Sequence, residues 1–332
     1  MARHAYITDC EGPVSKNDNA FEIAEAFLEE GGRFFALLSK FDDYLGDVEK
    51  IEGYRYGSTL KYILPFLKAE GLTDGDMGKF SAGHVTIMGG IEAAFREIER
   101  VMPISMVSTS YIHYIEAVCR YLGLSMGSVY CTRLSLDAYR MDEEERREVR
   151  GYFRKFLALP PISWDGEGRL EGDSARSVEL LKRFFFAVLP AMAVSRWVEP
   201  VVPIGGEGKA QAVADIAKRM GISAREVIYV GDSITDVAAF DLVRCEGGLS
   251  ISFNGNRYAV LSAEYSVVAD DASVLAELAR AFDEGRTAPL RTGEYAYGAR
   301  VFRRDAADLA SLVALSEKTR KEVRGRAVGE LG

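Results

Sequence analysis

The 332-residue sequence predicts an α/β protein: a doubly wound parallel sheet with a mainly helical cap inserted between its first two strands. Three observations predict it. Short apolar runs alternate with amphipathic helical stretches over 204–300, the order that builds parallel strands joined by crossover helices. Polar or charged side chains stand at the ends of the short runs and at one helix start, at Asp9, Ser108, Lys209 and Asp232, which suits the ligand-binding edge of an open parallel sheet. Most of 14–100 carries helical spacing, far more chain than two adjacent strands need between them.

The first strand is the run 6–9, closed by Asp9, Cys10, Glu11 and the Gly12-Pro13 turn. Asn19 is placed to cap a helix through Phe21, Ile23, Ala24, Phe27 and Leu28, with Gly31-Gly32 as its stop. Helical stretches follow at 34–45, at 58–70 with a break at Pro65, and at 90–102, whereas 73–90 reads as loop. A second strand spans 103–108, and Thr109 or Ser110 is placed to cap the helix 111–122. A strand over 127–134 precedes the charged run 142–159, which reads as a solvated helix face. The helix 174–188 carries Phe184, Phe185 and Phe186 as packing residues. Gly205-Gly-Glu-Gly-Lys209 opens a helix to Met220, and three strand-helix pairs then follow from 226 to 282, with strands at 226–230, 247–253 and 265–269. The chain closes on a polar amphipathic helix over 303–324 with no evident chemistry of its own, a packing or oligomer element. The expected division is a core of 1–13, 101–136 and 204–300, a helical cap 14–100, a second insertion 137–203 and the C-terminal segment 301–332.

Composition narrows the function classes. Hydrophobic residues at 48% and charged residues at 27% lie in the globular range. A net charge of −9 argues against non-specific nucleic-acid binding. The longest apolar stretch, 184–194, is interrupted by Pro190 and is shorter than the ~18 residues of a membrane span. The motif strand begins at once after the N-terminus, so the expected location is the cytoplasm. Cys10, Cys119, Cys131 and Cys245 are scattered without a zinc-site spacing and read as reduced core thiols, Cys10 pointing away from the motif face.

Read singly, the motifs are ambiguous. Asp9 before Gly-Pro is also a turn former, Ser108 to Ser110 also suit helix capping, and the glycine-rich turn is not a P-loop because Ala210 follows Lys209. Asp232 and Asp236, four residues apart after a strand, repel each other unless a cation or hydrogen bonds compensate, and Mg²⁺ with oxygen ligands is a natural partner.

Taken in order, Asp9, Val107-Ser108-Thr109, Lys209 and Gly231-Asp232-Ser-Ile-Thr-Asp236 resemble the four motifs of the haloacid dehalogenase (HAD) superfamily, most closely its phosphoserine-phosphatase-like branch. The resemblance covers the core, about half of the chain. It implies a Mg²⁺-dependent phosphohydrolase acting on a small phosphorylated metabolite through an aspartyl-phosphate on Asp9. Ser108, Thr109 and Lys209 would hold the phosphoryl group. The cation would be held by Asp9, the Glu11 carbonyl and Asp232, with Asp236 ordering a coordinated water or Lys209. The departure is Glu11, where such phosphatases usually carry an aspartate as general acid and base; the added methylene displaces the carboxyl by roughly 1 Å, a misplacement that can cost about 10²-fold. Asp-Cys-Glu-Gly-Pro at 9–13 and Ser-Phe-Asn-Gly-Asn at 252–256 also resemble an archaeal HAD-like family known as subunit R of energy-converting hydrogenase A. That resemblance implies the alternative, a hydrogenase-associated binding or accessory subunit with little or no turnover; the expected partners are a small phosphorylated molecule and either a second copy of the chain, as a homodimer, or a hydrogenase complex.

Overall fold

The computed structural model describes residues 3–285 and 290–329. The core is one eight-stranded sheet in the order β3-β2-β1-β4-β5-β6-β8-β7. Its strands are β1 (Ala5–Thr8), β2 (Ile104–Tyr111), β3 (Val129–Thr132), β4 (Val227–Gly231), β5 (Leu249–Phe253), β6 (Tyr265–Val268), β7 (Gly293–Glu294) and β8 (Arg300–Arg303). The first six run parallel, and β8 and β7 extend the edge in antiparallel fashion. The parallel strands are buried on both faces. Ala5 and Ile7 of β1 join the apolar cluster under helix Glu207–Met220, while Tyr6 joins the cluster on the opposite face, as the two-residue period of a strand requires.

Residues from 20–77 and from 136–201 share a single apolar cluster, so the two insertions pack as one helical body. Its centre is aromatic: Phe34, Phe66, Phe153, Phe156, Phe184 and Phe185 meet with ring centroids 4.8–6.4 Å apart, mostly edge-on or tilted. Phe184 and Phe185 are core residues as expected, whereas Phe186 is exposed. Helix Ile91–Glu99, expected within the cap, instead lays Ile91, Ala94, Phe95 and Ile98 into a cluster on the sheet.

Several local expectations are corrected. Asp18, not Asn19, caps the first helix, accepting from Phe21 N at 3.0 Å. Gly31-Gly32 begin helix Gly31–Asp47 rather than ending the one before it, because a Cβ at Gly31 would overlap the Ala24 carbonyl. The stretch taken as loop contains helix Asp74–Gly83, started by a capping box between Thr73 and Asp76. Strand β2 runs on through Tyr111, so neither Thr109 nor Ser110 caps the next helix; Thr109 Oγ1 donates to Ile204 O instead. The C-terminal helix is Leu309–Arg324, since Arg303 ends β8, and Cys245 is exposed rather than a core thiol.

Asp42 ties the cap to the loop that borders the site. Its buried carboxylate accepts from Tyr54 Oη (2.6 Å), Gly57 N (3.1 Å), Thr59 N (2.9 Å) and Thr59 Oγ1 (2.9 Å). Asp42→Ala strands these donors, and the expected loss is roughly 2–3 kcal/mol in denaturant unfolding, with Asp42→Asn losing less because its amide oxygen still accepts. An unchanged unfolding midpoint for the alanine variant would contradict this.

Candidate active site

Strand β1 ends at Thr8, and Asp9 N donates to Val230 O at 2.8 Å, which pins Asp9 beside the end of β4. The chain then turns sharply: Val14 N and Ser15 N both donate to Cys10 O. Gly12 sits here at φ 101°, and a Cβ at this position would overlap the Asp232 carboxylate, so only glycine lets the first loop lie against the acidic motif. Cys10 is buried in the sheet cluster, pointing away from the site as expected.

Lys209 lies in the first turn of helix Glu207–Met220, which is held to the acidic loop by Gly206 N donating to Thr235 O at 2.8 Å. Its fully buried ammonium bridges Asp9 Oδ2 at 2.5 Å and Asp236 Oδ1 at 2.7 Å. Burial works against this charge, but the two carboxylates outweigh it and hold the lysine above its ordinary range. Asp236 has both oxygens engaged: Oδ1 accepts also from Tyr229 Oη, and Oδ2 from Asp232 N, Ser233 N and Ser233 Oγ. Those bonds keep it below the usual carboxylate range against the cost of burial. Asp236 thus contacts the lysine directly.

Asp9, Glu11, Thr109 and Asp232 share the wall of one cavity of about 110 Å³, together with Asp18, Asp42, Tyr56 and Gly57. Ser108 is fully buried and not part of that wall, and its Oγ accepts from Ser110 N at 3.0 Å. Burial, offset by Lys209 and reinforced by the charges of Asp236 and Asp232, pushes Asp9 up to about 7. Glu11 is raised well above its ordinary value by burial and by the neighbouring charge of Asp18, and its Oε1 accepts from Asn19 N at 3.3 Å.

The sequence reading missed several cavity residues, two of them cationic. Arg320 and Arg324, from the C-terminal helix, both donate to Asp232 Oδ2, Arg324 at 2.8 Å. Their only signal in the sequence is a four-residue spacing on one helix face, which any surface helix could show. Asp18, the helix cap, also lines the cavity.

The donor set suits a hard divalent cation. Asp9, Asp232 and Asp236 each offer an oxygen within 4.8 Å of the others, and among the described residues nothing donates to Asp232 Oδ1 or to the Glu11 carbonyl. Carboxylates (Asp9, Glu11, Asp18, Asp42, Asp43, Asp232 and the buried Asp236) outnumber the cations Lys209, Arg320 and Arg324 at the site, an excess that a divalent ion would reduce.

A solved structure matches nearly the whole chain. It is a gene product, AF1437, of Archaeoglobus fulgidus, 28% identical, with a TM-score of 0.88 over 99% of each chain. The chain is also similar to a phosphoserine phosphatase in its apo form (19% identity, TM-score 0.47, 82% of this chain and 98% of that one). A third match is a phosphoserine phosphohydrolase-like protein of Francisella tularensis (14%, 0.47, 84% and 99%). No family model and no curated protein matches the sequence. Among the described residues no helix is long and apolar enough to cross a membrane.

Proposed function

We propose that this chain is a HAD-type phosphohydrolase that transfers the phosphoryl group of a small phosphorylated metabolite to Asp9 and then to water. The observation that supports this most directly is the ammonium of Lys209 between Asp9 and Asp236, at the carboxyl edge of the sheet and beside an acidic cavity. Asp9, Lys209 and Asp236, distant in sequence, meet at one ammonium, and the Asp9 oxygens are oriented by Lys209 and by Cys10 N at 2.7 Å. An Asp held in this way is aligned for attack rather than used as a turn former.

In the first half-reaction Asp9 forms a bond to phosphorus as the bond to the leaving oxygen breaks, and Glu11, two residues on and also on the cavity wall, gives that oxygen its proton. In the second half-reaction a water attacks the aspartyl-phosphate, Glu11 takes the water proton, and Asp9 is released. Lys209 offsets charge on the transferring oxygens, Thr109 lines the space beside them, and Asp236 keeps the lysine in place. Mg²⁺ would be held by Asp9, the Glu11 carbonyl and Asp232, and would supply charge stabilisation of the phosphoryl oxygens. The phosphoserine phosphatase and the phosphoserine phosphohydrolase-like protein among the matched structures are consistent with this reaction class and do not name the substrate.

A second reading, an accessory subunit with little turnover, such as a hydrogenase-associated subunit or a homodimeric binding protein, is favoured by one observation: the Glu11 carboxylate accepts from Asn19 N rather than standing free. Phosphate release from p-nitrophenyl phosphate and a panel of small phosphate esters separates the two. The expected result is turnover with Mg²⁺, loss to background with EDTA, and a rate changed by up to about 10²-fold in Glu11→Asp. No release by either form, with every ester and Mg²⁺ present, would overturn the hydrolase reading in favour of the accessory one.

A further inference from the structure

The C-terminal helix is built into the active site. Its apolar side seats Leu312 against Val260 and Val268. Ser316 Oγ donates to Gly255 O at 2.7 Å, and Glu317 Oε1 accepts from Arg257 N at 3.1 Å. All of these anchors lie on the sheet body, in the strands and turns that follow Asp232, so the helix is positioned from the core side. One turn further on, Arg320 NH1 donates to the Asp232 carbonyl at 3.2 Å and to Asp232 Oδ2. One turn beyond that, Arg324 makes three contacts: Nε to Lys16 O at 3.0 Å, NH2 to Asn17 O at 3.2 Å and NH1 to Asp232 Oδ2 at 2.8 Å.

Two features of this arrangement point to a role in the chemistry rather than in packing alone. Arg324 spans the two loops that Gly12 allows to touch, so one guanidinium fixes the first-motif loop relative to the acidic motif. Both arginines also take the same oxygen. Among the described residues Asp232 Oδ2 carries every hydrogen bond to that carboxylate, and Oδ1 carries none. A carboxylate clamped on one oxygen has its plane set, and the other oxygen is left for a cation.

We propose that Arg320 and Arg324 are positioning residues: they hold Asp232 so that its free oxygen, Asp9 and the Glu11 carbonyl form one divalent-cation site, and the C-terminal helix is therefore a required wall of that site. The proposal deepens the phosphohydrolase reading by assigning how its cation is held. Without the guanidiniums Asp232 has no side-chain donor and its carboxylate is free to turn. Charge alone argues for the opposite sign, since two cations beside a metal site repel a third. The sign of the effect is therefore the test.

The measurement is Mg²⁺ binding to the full chain by calorimetry, with no phosphate ester present, for wild type, Arg320→Gln, Arg324→Gln, Arg324→Lys and Asp232→Asn, each checked for folding by circular dichroism. The two glutamine variants are expected to bind Mg²⁺ about 10–100-fold more weakly, the range for residues that orient a ligand. Arg324→Lys keeps the charge but cannot span Lys16, Asn17 and Asp232 at once, so it should fall with the glutamine variant. Asp232→Asn should lose binding altogether. Unchanged or tighter binding in the glutamine variants would overturn the proposal and identify the guanidiniums as competitors of the cation, and so would full affinity in Arg324→Lys beside a weakened Arg324→Gln, which would make charge the whole effect. A wild type that binds no Mg²⁺ also overturns it. A wild type that binds Mg²⁺ in an arginine-dependent way yet hydrolyses no ester would remove the phosphohydrolase reading and leave this one standing.

Discussion

Asp9→Asn should abolish phosphate release while leaving the protein folded. The amide is nearly the same shape as the carboxylate, and its oxygen can still accept from Lys209, so the buried contact at 2.5 Å has a successor. What disappears is the nucleophile. Loss of a covalent nucleophile that works as a unit with its neighbours lowers the rate by roughly 10⁴-fold or more, leaving only what binding and charge stabilisation provide. Stability should move little or rise, because the site carries more carboxylates than cations and burial already penalises the charge on Asp9. The checks are initial rates on the best ester of the panel and a thermal melt of the same sample. Activity within about tenfold of wild type would remove Asp9 from the role of nucleophile.

Lys209→Met should be the most destabilising single change in the core. The ammonium is fully buried and is the cation that separates Asp9 from Asp236. Methionine fills a similar volume and supplies no charge, so two buried carboxylates are left without the cation between them. Breaking a buried pair by removing one partner costs about 3–5 kcal/mol, and here one partner serves two carboxylates. For a chain of this size that corresponds to a fall of roughly 10 °C in the melting midpoint. Adding Asp236→Asn to Lys209→Met should restore part of the loss, because it removes one of the stranded charges. Calorimetric melts of the two variants read both effects. A Lys209→Met midpoint within about 2 °C of wild type would mean that the triad does not hold the site together. Phosphate release should fall in both variants, since neither keeps the lysine charge beside the transferring oxygens.

The Asp42 carboxylate and the C-terminal arginines show why parts of the molecule were not legible in the sequence. Asp42 lies in a helix among Lys40, Asp43 and Asp47, where it reads as one more solvated charge. Its four donors come from residues 12–17 positions away, and only the folded loop brings them together. The same holds for helix Asp74–Gly83, whose three glycines hide a regular helix that the Thr73–Asp76 capping box starts. Gly31 was misread for a related reason: glycine ends helices by its freedom at positive φ, but here it is needed for close approach to the Ala24 carbonyl.

By itself the sequence determined the α/β class, the alternation of strands and helices after residue 204, the helical character of the insertions, and the placing of Asp9, Lys209, Asp232 and Asp236 at the carboxyl edge of the sheet. Each of these follows from local patterning, a period of two or of 3.6 residues and a polar side chain where a strand ends. Only the tertiary structure decided that the two insertions share one aromatic core, that Asp236 is saturated by Lys209, Tyr229 and main-chain N–H groups, and that Arg320 and Arg324 reach Asp232 from the far end of the chain. Those are meetings between residues up to 92 positions apart at Asp232, and 307 or 308 for the contacts of Arg324 to the first loop. Spacing along the chain carries no information about them, because the sheet order and the seat of the C-terminal helix, not sequence distance, bring the side chains together.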